Sequence, residues 1–181
     1  MIDPQLDWPV RAAAISEQVR VALGPTAERI EHIGSTAIPG MPAKNVIDLQ
    51  VSVSDLARAE AFDPALSELG FLRSPYEHDH VPAGCQDDPE RWVKRLWVRR
   101  GPEGDVNMHV RLVGSPNERF AILFRDWFRS HPEAVPAYGS FKQALAAISP
   151  DLDVYTIVKD QVVDLVLVVA ETWASKTGWH Y

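Results

Sequence analysis

The spacing of apolar and polar residues changes along the chain, and each change predicts an element. The clearest strand is 45–53 (NVIDLQVSV), where polar and apolar residues alternate and so point to opposite faces of a sheet. One face carries Val46, Asp48, Gln50 and Ser52, and the other carries Ile47, Leu49, Val51 and Val53. The other predicted strands are 29–33, 71–74, 91–100 and 106–113, the last two joined by a turn at 101–105. The predicted helices are one from Asp7-Trp8-Pro9 to Gly24-Pro25 and four more at 54–70, 115–130, 132–149 and 154–176. A shaped loop covers 34–42, and a polar loop covers 75–90.

Strands mixed with helices come first and helices alone follow, which is typical of the α+β class. We therefore expect one domain over residues 1–181. Its sheet part covers about 8–113, and its helical part covers about 115–176.

Composition narrows the class of protein. The 181 residues are 46% hydrophobic and 24% charged, as in soluble globular proteins, and the net charge of −7 argues against broad nucleic-acid binding. A single cysteine, Cys85, excludes an internal disulfide and a cysteine-based zinc site, and it fits a reducing compartment. The longest apolar run, 162–170, is interrupted by Asp164 and is far shorter than a membrane span. With no basic start before an apolar run, we expect no signal peptide and a cytoplasmic protein without membrane partners.

The segment 31–53 carries the candidate chemistry. A tight turn at Gly34-Ser35 would let backbone N–H groups and a hydroxyl approach phosphate oxygens closely. A carboxylate on the following strand, Asp48, would hold Mg²⁺ against the same phosphates. Anchored phosphates and a metal that offsets developing charge are what nucleotidyl transfer requires. A structural ion pair is the alternative reading of Asp48.

The string HIGSTAIPG…AKNVIDL, from His32 to Leu49, resembles the signature of the GrpB family. This family is a branch of the nucleotidyltransferase superfamily with the polymerase-beta-like fold. Further similarity lies at Lys94-Arg95, at MHVR (108–111) and over 114–146, so the resemblance covers about residues 8–172. It implies a mixed sheet of four or five strands flanked by helices, with C-terminal helices. Related domains resemble those fused to dephospho-CoA kinase, which implies a link to a coenzyme A kinase.

The resemblance also implies site residues, though the match is partial. Gly34 and Ser35 match the superfamily's Gly-Ser pair, and Asp48 matches its first carboxylate, the expected Mg²⁺ ligand. The second carboxylate position holds Gln50, and the third falls near His109, so a two-metal centre is doubtful. The catalytic candidates are Asp48 and His109. The ligand-binding candidates are Gly34, Ser35, Thr36, Lys44, Gln50, Lys94, Arg95 and Arg111.

Some assignments stay open. Lys94 and Arg95 would point to opposite faces of their strand, so both cannot face one ligand. His78 and His80 have a spacing suited to a metal, and the alternative is a solvated loop. For function, we expect a nucleotide or phosphorylated ligand, with metal-assisted nucleotidyl transfer as the reaction if the protein is an enzyme. The alternative is a catalytically inactive binding or regulatory module, linked to coenzyme A metabolism.

Overall fold

A five-stranded mixed sheet lies at the centre of the computed structural model, which describes residues 1–102 and 104–181. Its strands are β1 (Arg29–Ile33), β2 (Val46–Val53), β3 (Leu72–Ser74), β4 (Lys94–Arg99) and β5 (Asp105–Leu112). Their order across the sheet is β1-β2-β5-β4-β3. The pair β2 and β5 is parallel, whereas the other neighbours are antiparallel. In this register, Asp48 lies opposite Asn107 and Gln50 lies opposite His109.

In the part of the chain that the structure describes, five α-helices surround the sheet. They are α1 (Trp8–Leu23), α2 (Asp63–Glu68), α3 (Pro116–Ser130), α4 (Val135–Ile148) and α5 (Leu152–Thr177). Ser115 caps α3 and Asp151 caps α5, because each side chain accepts a backbone N–H of the first turn. No helix in the described residues is long and apolar enough to cross a membrane.

The two faces of the sheet serve different purposes. The apolar face of β2 (Ile47, Leu49, Val51 and Val53) is fully buried in one core with residues of α1 and α2. The polar face lies toward the helical part, where the buried Gln50 donates to the backbone oxygen of Glu118 in α3 at 3.2 Å. A second core joins the loop after β1 to α3 and α4. The polar face of the sheet is thereby enclosed by helices.

Two predicted elements differ from the structure. The helix predicted over 54–70 is a 3₁₀ segment, Leu56–Phe62, followed by the short α2, since Pro64 at the start of α2 has no N–H to continue an earlier helix. The strand predicted from 91 begins at Lys94, because Asp88 caps a 3₁₀ turn over Pro89–Trp92 by accepting the Glu90 N–H. Within the predicted turn 101–105, Glu103 lies outside the described residues.

Candidate functional site

A cavity of about 930 Å³ opens on the polar face of the sheet. Its floor comes from β2, β4 and β5, and its walls come from the loop after β1, the loop around His78 and helices α3, α4 and α5. The sequence-predicted residues Gly34, Ser35, Thr36, Lys44, Asp48, Lys94, His109 and Arg111 all line it. A volume of this size accommodates a nucleotide-sized molecule.

The bend after β1 lies directly against the carboxyl group of Asp48. Gly34 has φ 69° and ψ −169°, a conformation that is open essentially to glycine alone. A Cβ atom at Gly34 would lie 2.5 Å from Asp48 Oδ2 and 3.0 Å from Asp48 Cβ, so no side chain fits between them. Asn107 holds the carboxyl group in place by donating to Oδ1 at 2.9 Å. The structure therefore brings the turn and the acid together, and 27% of the Asp48 side chain stays exposed.

A lysine of the helical part reaches the same bend. Lys142 of α4 donates from Nζ to Ser35 Oγ at 2.7 Å, although the residue is only 2% exposed. Burial and the charge of Lys159 lower the pKa of Lys142 to about 7, and Asp48 acts in the opposite direction. The Lys142 amine and the Asp48 carboxyl group therefore both border the bend.

Thr36 stabilises the loop from inside. Its hydroxyl donates to the backbone oxygen of Val46 at 3.3 Å and accepts from His32 Nε2 at 2.9 Å. Burial lowers the pKa of His32 to about 4, and the charges of Arg125 and Arg129 act in the same direction, so the ring is neutral at neutral pH. Because Thr36 is only 4% exposed and both hydroxyl contacts are internal, its main part is to hold the loop that carries Ser35.

His109 faces cations on one side and Asp48 on the other. Its Nδ1 lies 3.3 Å from Lys94 Nζ and 3.5 Å from Arg111 Nη2, both of which only donate, so Nδ1 accepts and the ring proton belongs on Nε2. Nε2 lies 3.9 Å from Asp48 Oδ1. Burial lowers the pKa of His109 below its ordinary value, so a neutral ring points its N–H toward a carboxylate.

Asp48 is ionised at neutral pH. Burial raises the pKa of its carboxyl group, but the facing His109 and the hydrogen bond from Asn107 lower it further, to a value below that of a free aspartate. A negative charge therefore sits on the floor of the cavity.

The cations of β4 and β5 already have an acidic partner. Lys94 Nζ donates to Asp79 Oδ1 at 2.5 Å, and Arg111 Nε donates to Asp79 Oδ2 at 2.8 Å. Asn117 of α3 donates to the same Oδ2 at 3.0 Å. Burial alone would raise the pKa of Asp79, but these two cations hold it far below its usual range. One loop acid thus offsets part of the positive charge of these two cations.

Two of the predicted ligand-binding residues do not line the cavity. Gln50 is fully buried, with its oxygen accepting from Arg111 Nη1 at 2.5 Å. Arg95 lies on the opposite face of β4, where it donates to the backbone oxygen of Lys94 and lies 3.5 Å from Glu77. Lys94 and not Arg95 therefore faces the cavity, as strand alternation requires.

Lys44 and His80 also line the cavity. Lys44 is exposed, and its amine lies 4.5 Å above the ring of Tyr155. His80 Nε2 lies 3.0 Å from Asp164 Oδ2 in α5, which also accepts the backbone N–H of Ala83 at 2.9 Å. These contacts fasten the loop after β3 to α5.

Few oxygen ligands around the cavity are available to a magnesium ion. No group of three or more histidine, cysteine, aspartate or glutamate side chains in the described residues is placed to hold a metal ion. The oxygen of Gln50 is taken by Arg111, and both oxygens of Asp79 accept from cations. A two-metal centre does not fit these residues. Asp48 alone fits a single Mg²⁺ that a phosphorylated ligand would share, since Mg²⁺ in such sites keeps waters and takes one or two carboxylates.

Sequence reasoning missed three residues of the site: Asp79, Asn107 and Lys142. Asp79 lies in a polar loop, and Asn107 becomes a neighbour of Asp48 only through the parallel pairing of β2 and β5. Lys142 is the one charged residue in the otherwise apolar and neutral sequence of α4. What distinguishes it is its burial, 2% exposed, because lysine is rarely buried unless it is paired, and only the structure shows that burial.

Comparisons with known proteins agree with this fold. A crystal structure of conserved protein GrpB from Enterococcus faecalis superimposes with a TM-score of 0.76 at 23% identity, covering 94% of this chain and 98% of that one. The likeness confirms the predicted α+β class and its mixed sheet flanked by helices.

Similar sequences carry two kinds of name. A protein named dephospho-CoA kinase in Mycolicibacterium paratuberculosis is 34% identical over 195 residues, which is 99% of this chain and 47% of that protein. A UPF0157 protein of Halalkalibacterium halodurans is 31% identical over 144 residues, which is 80% of this chain and 66% of that protein. The chain therefore spans about half, or less, of the kinases that it matches. The family model described as GrpB protein matches residues 1–168, so this chain belongs to the GrpB family.

Proposed function

We propose that the cavity binds a nucleotide or another phosphorylated small molecule. The observation that carries the proposal is the convergence of the Gly34-Ser35 bend and the Asp48 carboxylate in a cavity that is also lined by lysines and an arginine. A glycine bend lets phosphate oxygens approach the backbone, and nearby cations offset their charge. The aromatic rings of Trp92, Phe120, Phe124, Tyr138 and Tyr155 also line the cavity, and they suit a planar base.

The names of similar proteins point to one class of nucleotide. Coenzyme A and dephospho-coenzyme A are adenine nucleotides with a pyrophosphate group, and proteins named dephospho-CoA kinase contain a region that matches almost this whole chain. We therefore include dephospho-coenzyme A among the ligands to be tested, and a coenzyme A kinase among the partners.

Metal-assisted nucleotidyl transfer is the second candidate function. It is favoured by the ionised Asp48 beside the bend, which is where the superfamily's first metal ligand would lie. A bound Mg²⁺ would offset the charge of the phosphates. Gln50 and His109 at the other carboxylate positions favour binding without chemistry.

A thermal-shift series tests the proposal. ATP, dephospho-coenzyme A and adenosine are added to the protein with Mg²⁺ or with EDTA. The phosphorylated ligands are expected to raise the Tm and adenosine is not. If none of the phosphorylated ligands raises the Tm, the proposal is wrong.

The Asp48→Ala variant separates the two candidate functions. Pyrophosphate release from ATP that needs Mg²⁺ and disappears in Asp48→Ala supports transfer, whereas binding that is insensitive to both Mg²⁺ and the substitution supports a binding module. Co-purification with a coenzyme A kinase tests the partner, and the absence of any complex contradicts it.

A further inference from the structure

Two groups of cations line the cavity, and they differ in whether a carboxylate of the protein contacts them. Lys94 and Arg111 each contact a carboxylate oxygen of Asp79, at 2.5 and 2.8 Å. Their counter-charge is therefore supplied from within the fold. A ligand phosphate would have to displace Asp79 before it could use them.

Lys142 lacks such a partner. Its amine donates to the neutral hydroxyl of Ser35 at 2.7 Å and lies 5.3 Å from the ring centre of Tyr138. In the described part of the chain, no carboxylate forms an ion pair with it. An ammonium group has three N–H donors, and Ser35 accepts only one of them.

A buried ammonium without a counter-ion costs free energy, and the protein relieves part of that cost by shifting its titration. Burial and Lys159 lower the pKa of Lys142 to about 7. Lys159 also lowers the pKa of Lys44, after burial, so Lys159 is close enough to repel both Lys44 and Lys142. The three lysines come from the loop before β2, from α4 and from α5, and all three line the cavity. A multivalent anion at this place would remove the repulsion.

We propose that Lys142 and Ser35 anchor the phosphate groups of the ligand, whereas Lys94 and Arg111 form an internal ion cluster with Asp79. This inference rests on the proposed function and assigns its phosphate subsite to the helical part of the chain. The ligand class is a di- or polyphosphate, since a single carboxylate would leave most of the lysine repulsion in place.

The two buried lysines form a matched pair for the test in the unliganded protein. Lys142→Met removes an unneutralised charge while keeping a long apolar stem, so the Tm is expected to rise by about 2 °C or more. Lys94→Met removes a charge that Asp79 partly compensates, so its Tm is expected to lie below that of Lys142→Met. A fall in the Tm of Lys142→Met, or its failure to fold, would show that Lys142 is structural and would overturn the inference.

The second arm uses inorganic pyrophosphate as the probe. Saturating pyrophosphate is expected to raise the Tm of the wild-type protein by several degrees, since a ligand at about 100 times its Kd stabilises by roughly 2.7 kcal/mol. The shift should vanish in Lys142→Met, persist in Lys142→Arg and persist in Lys94→Met. An equal shift in Lys142→Met and wild type would overturn this inference alone. A wild-type protein that responds to neither pyrophosphate nor ATP would overturn the proposed function as well.

Discussion

Replacing Gly34 by alanine measures the contact between the bend and Asp48. The backbone conformation, φ 69° and ψ −169°, costs a side-chain-bearing residue about 1–3 kcal/mol. The added Cβ would also lie 2.5 Å from Asp48 Oδ2, and moving that packed group costs about another 1–3 kcal/mol. The expected total of about 2–6 kcal/mol is a large share of the 5–15 kcal/mol typical of a folded domain.

Gly24 provides the matched control. Its φ of 57° and ψ of −143° are similar, yet a Cβ there would meet nothing within 4 Å. Gly24→Ala should therefore carry the backbone cost alone, and urea denaturation should show Gly34→Ala to be less stable by about 1–3 kcal/mol.

A double-mutant cycle identifies the group that causes the difference. In an Asp48→Ala background, the carboxyl oxygens are absent and only the Cβ contact at 3.0 Å remains, so most of the extra cost of Gly34→Ala should disappear. Equal losses for Gly34→Ala and Gly24→Ala, or no coupling to Asp48, would refute the reasoning.

Three more predictions concern charged and titrating groups. Asp79→Asn leaves two buried cations uncompensated, so it should lower the free energy of unfolding at pH 7 by about 3–5 kcal/mol in urea denaturation. The difference in stability from wild type should narrow as the pH falls below about 4, because a carboxyl group with a lowered pKa loses its stabilising effect there. A difference under about 1 kcal/mol at pH 7 contradicts this prediction. The pKa of His32 is lowered from 6.5 to about 4, so the unfolded chain binds more protons than the folded one between these values. The stability of the wild-type protein should therefore fall as the pH is lowered from 6.5 to about 4, and the stability of His32→Gln should fall less. The pKa of Lys142 is lowered from 10.5 to about 7, so the stability of the wild-type protein should rise as the pH is raised from about 7 to 10.5. The plot of stability against pH should be flatter for Lys142→Met, and parallel plots for the two proteins would refute the prediction.

Local patterns were enough to predict much of the fold. Alternation in 45–53 predicted both faces of β2 correctly, since successive side chains of a strand point to opposite faces of the sheet. The helix over 54–70 was misjudged because 3₁₀ and α segments share a similar apolar spacing. The strand order depends on contacts far apart in the chain, which no local pattern contains.

The same limit applies to the site. Gly34, Ser35 and Asp48 could be predicted as site residues because they lie in one short segment that resembles the family signature. The partners that decide their chemistry come from distant elements: Asn107 from β5, and Lys142 from α4, 107 positions after Ser35. Asp79 lies in the polar loop 75–90, and only its contacts with Lys94 and Arg111 show it to be an internal counter-ion.

A crystal structure of the protein grown with ATP and Mg²⁺ tests the central claim most directly. Phosphate oxygens are expected within hydrogen-bond distance, about 3 Å, of both Ser35 Oγ and Lys142 Nζ. Nucleotide density with its phosphates elsewhere on the molecule, or a cavity without nucleotide at saturating ATP, would contradict it.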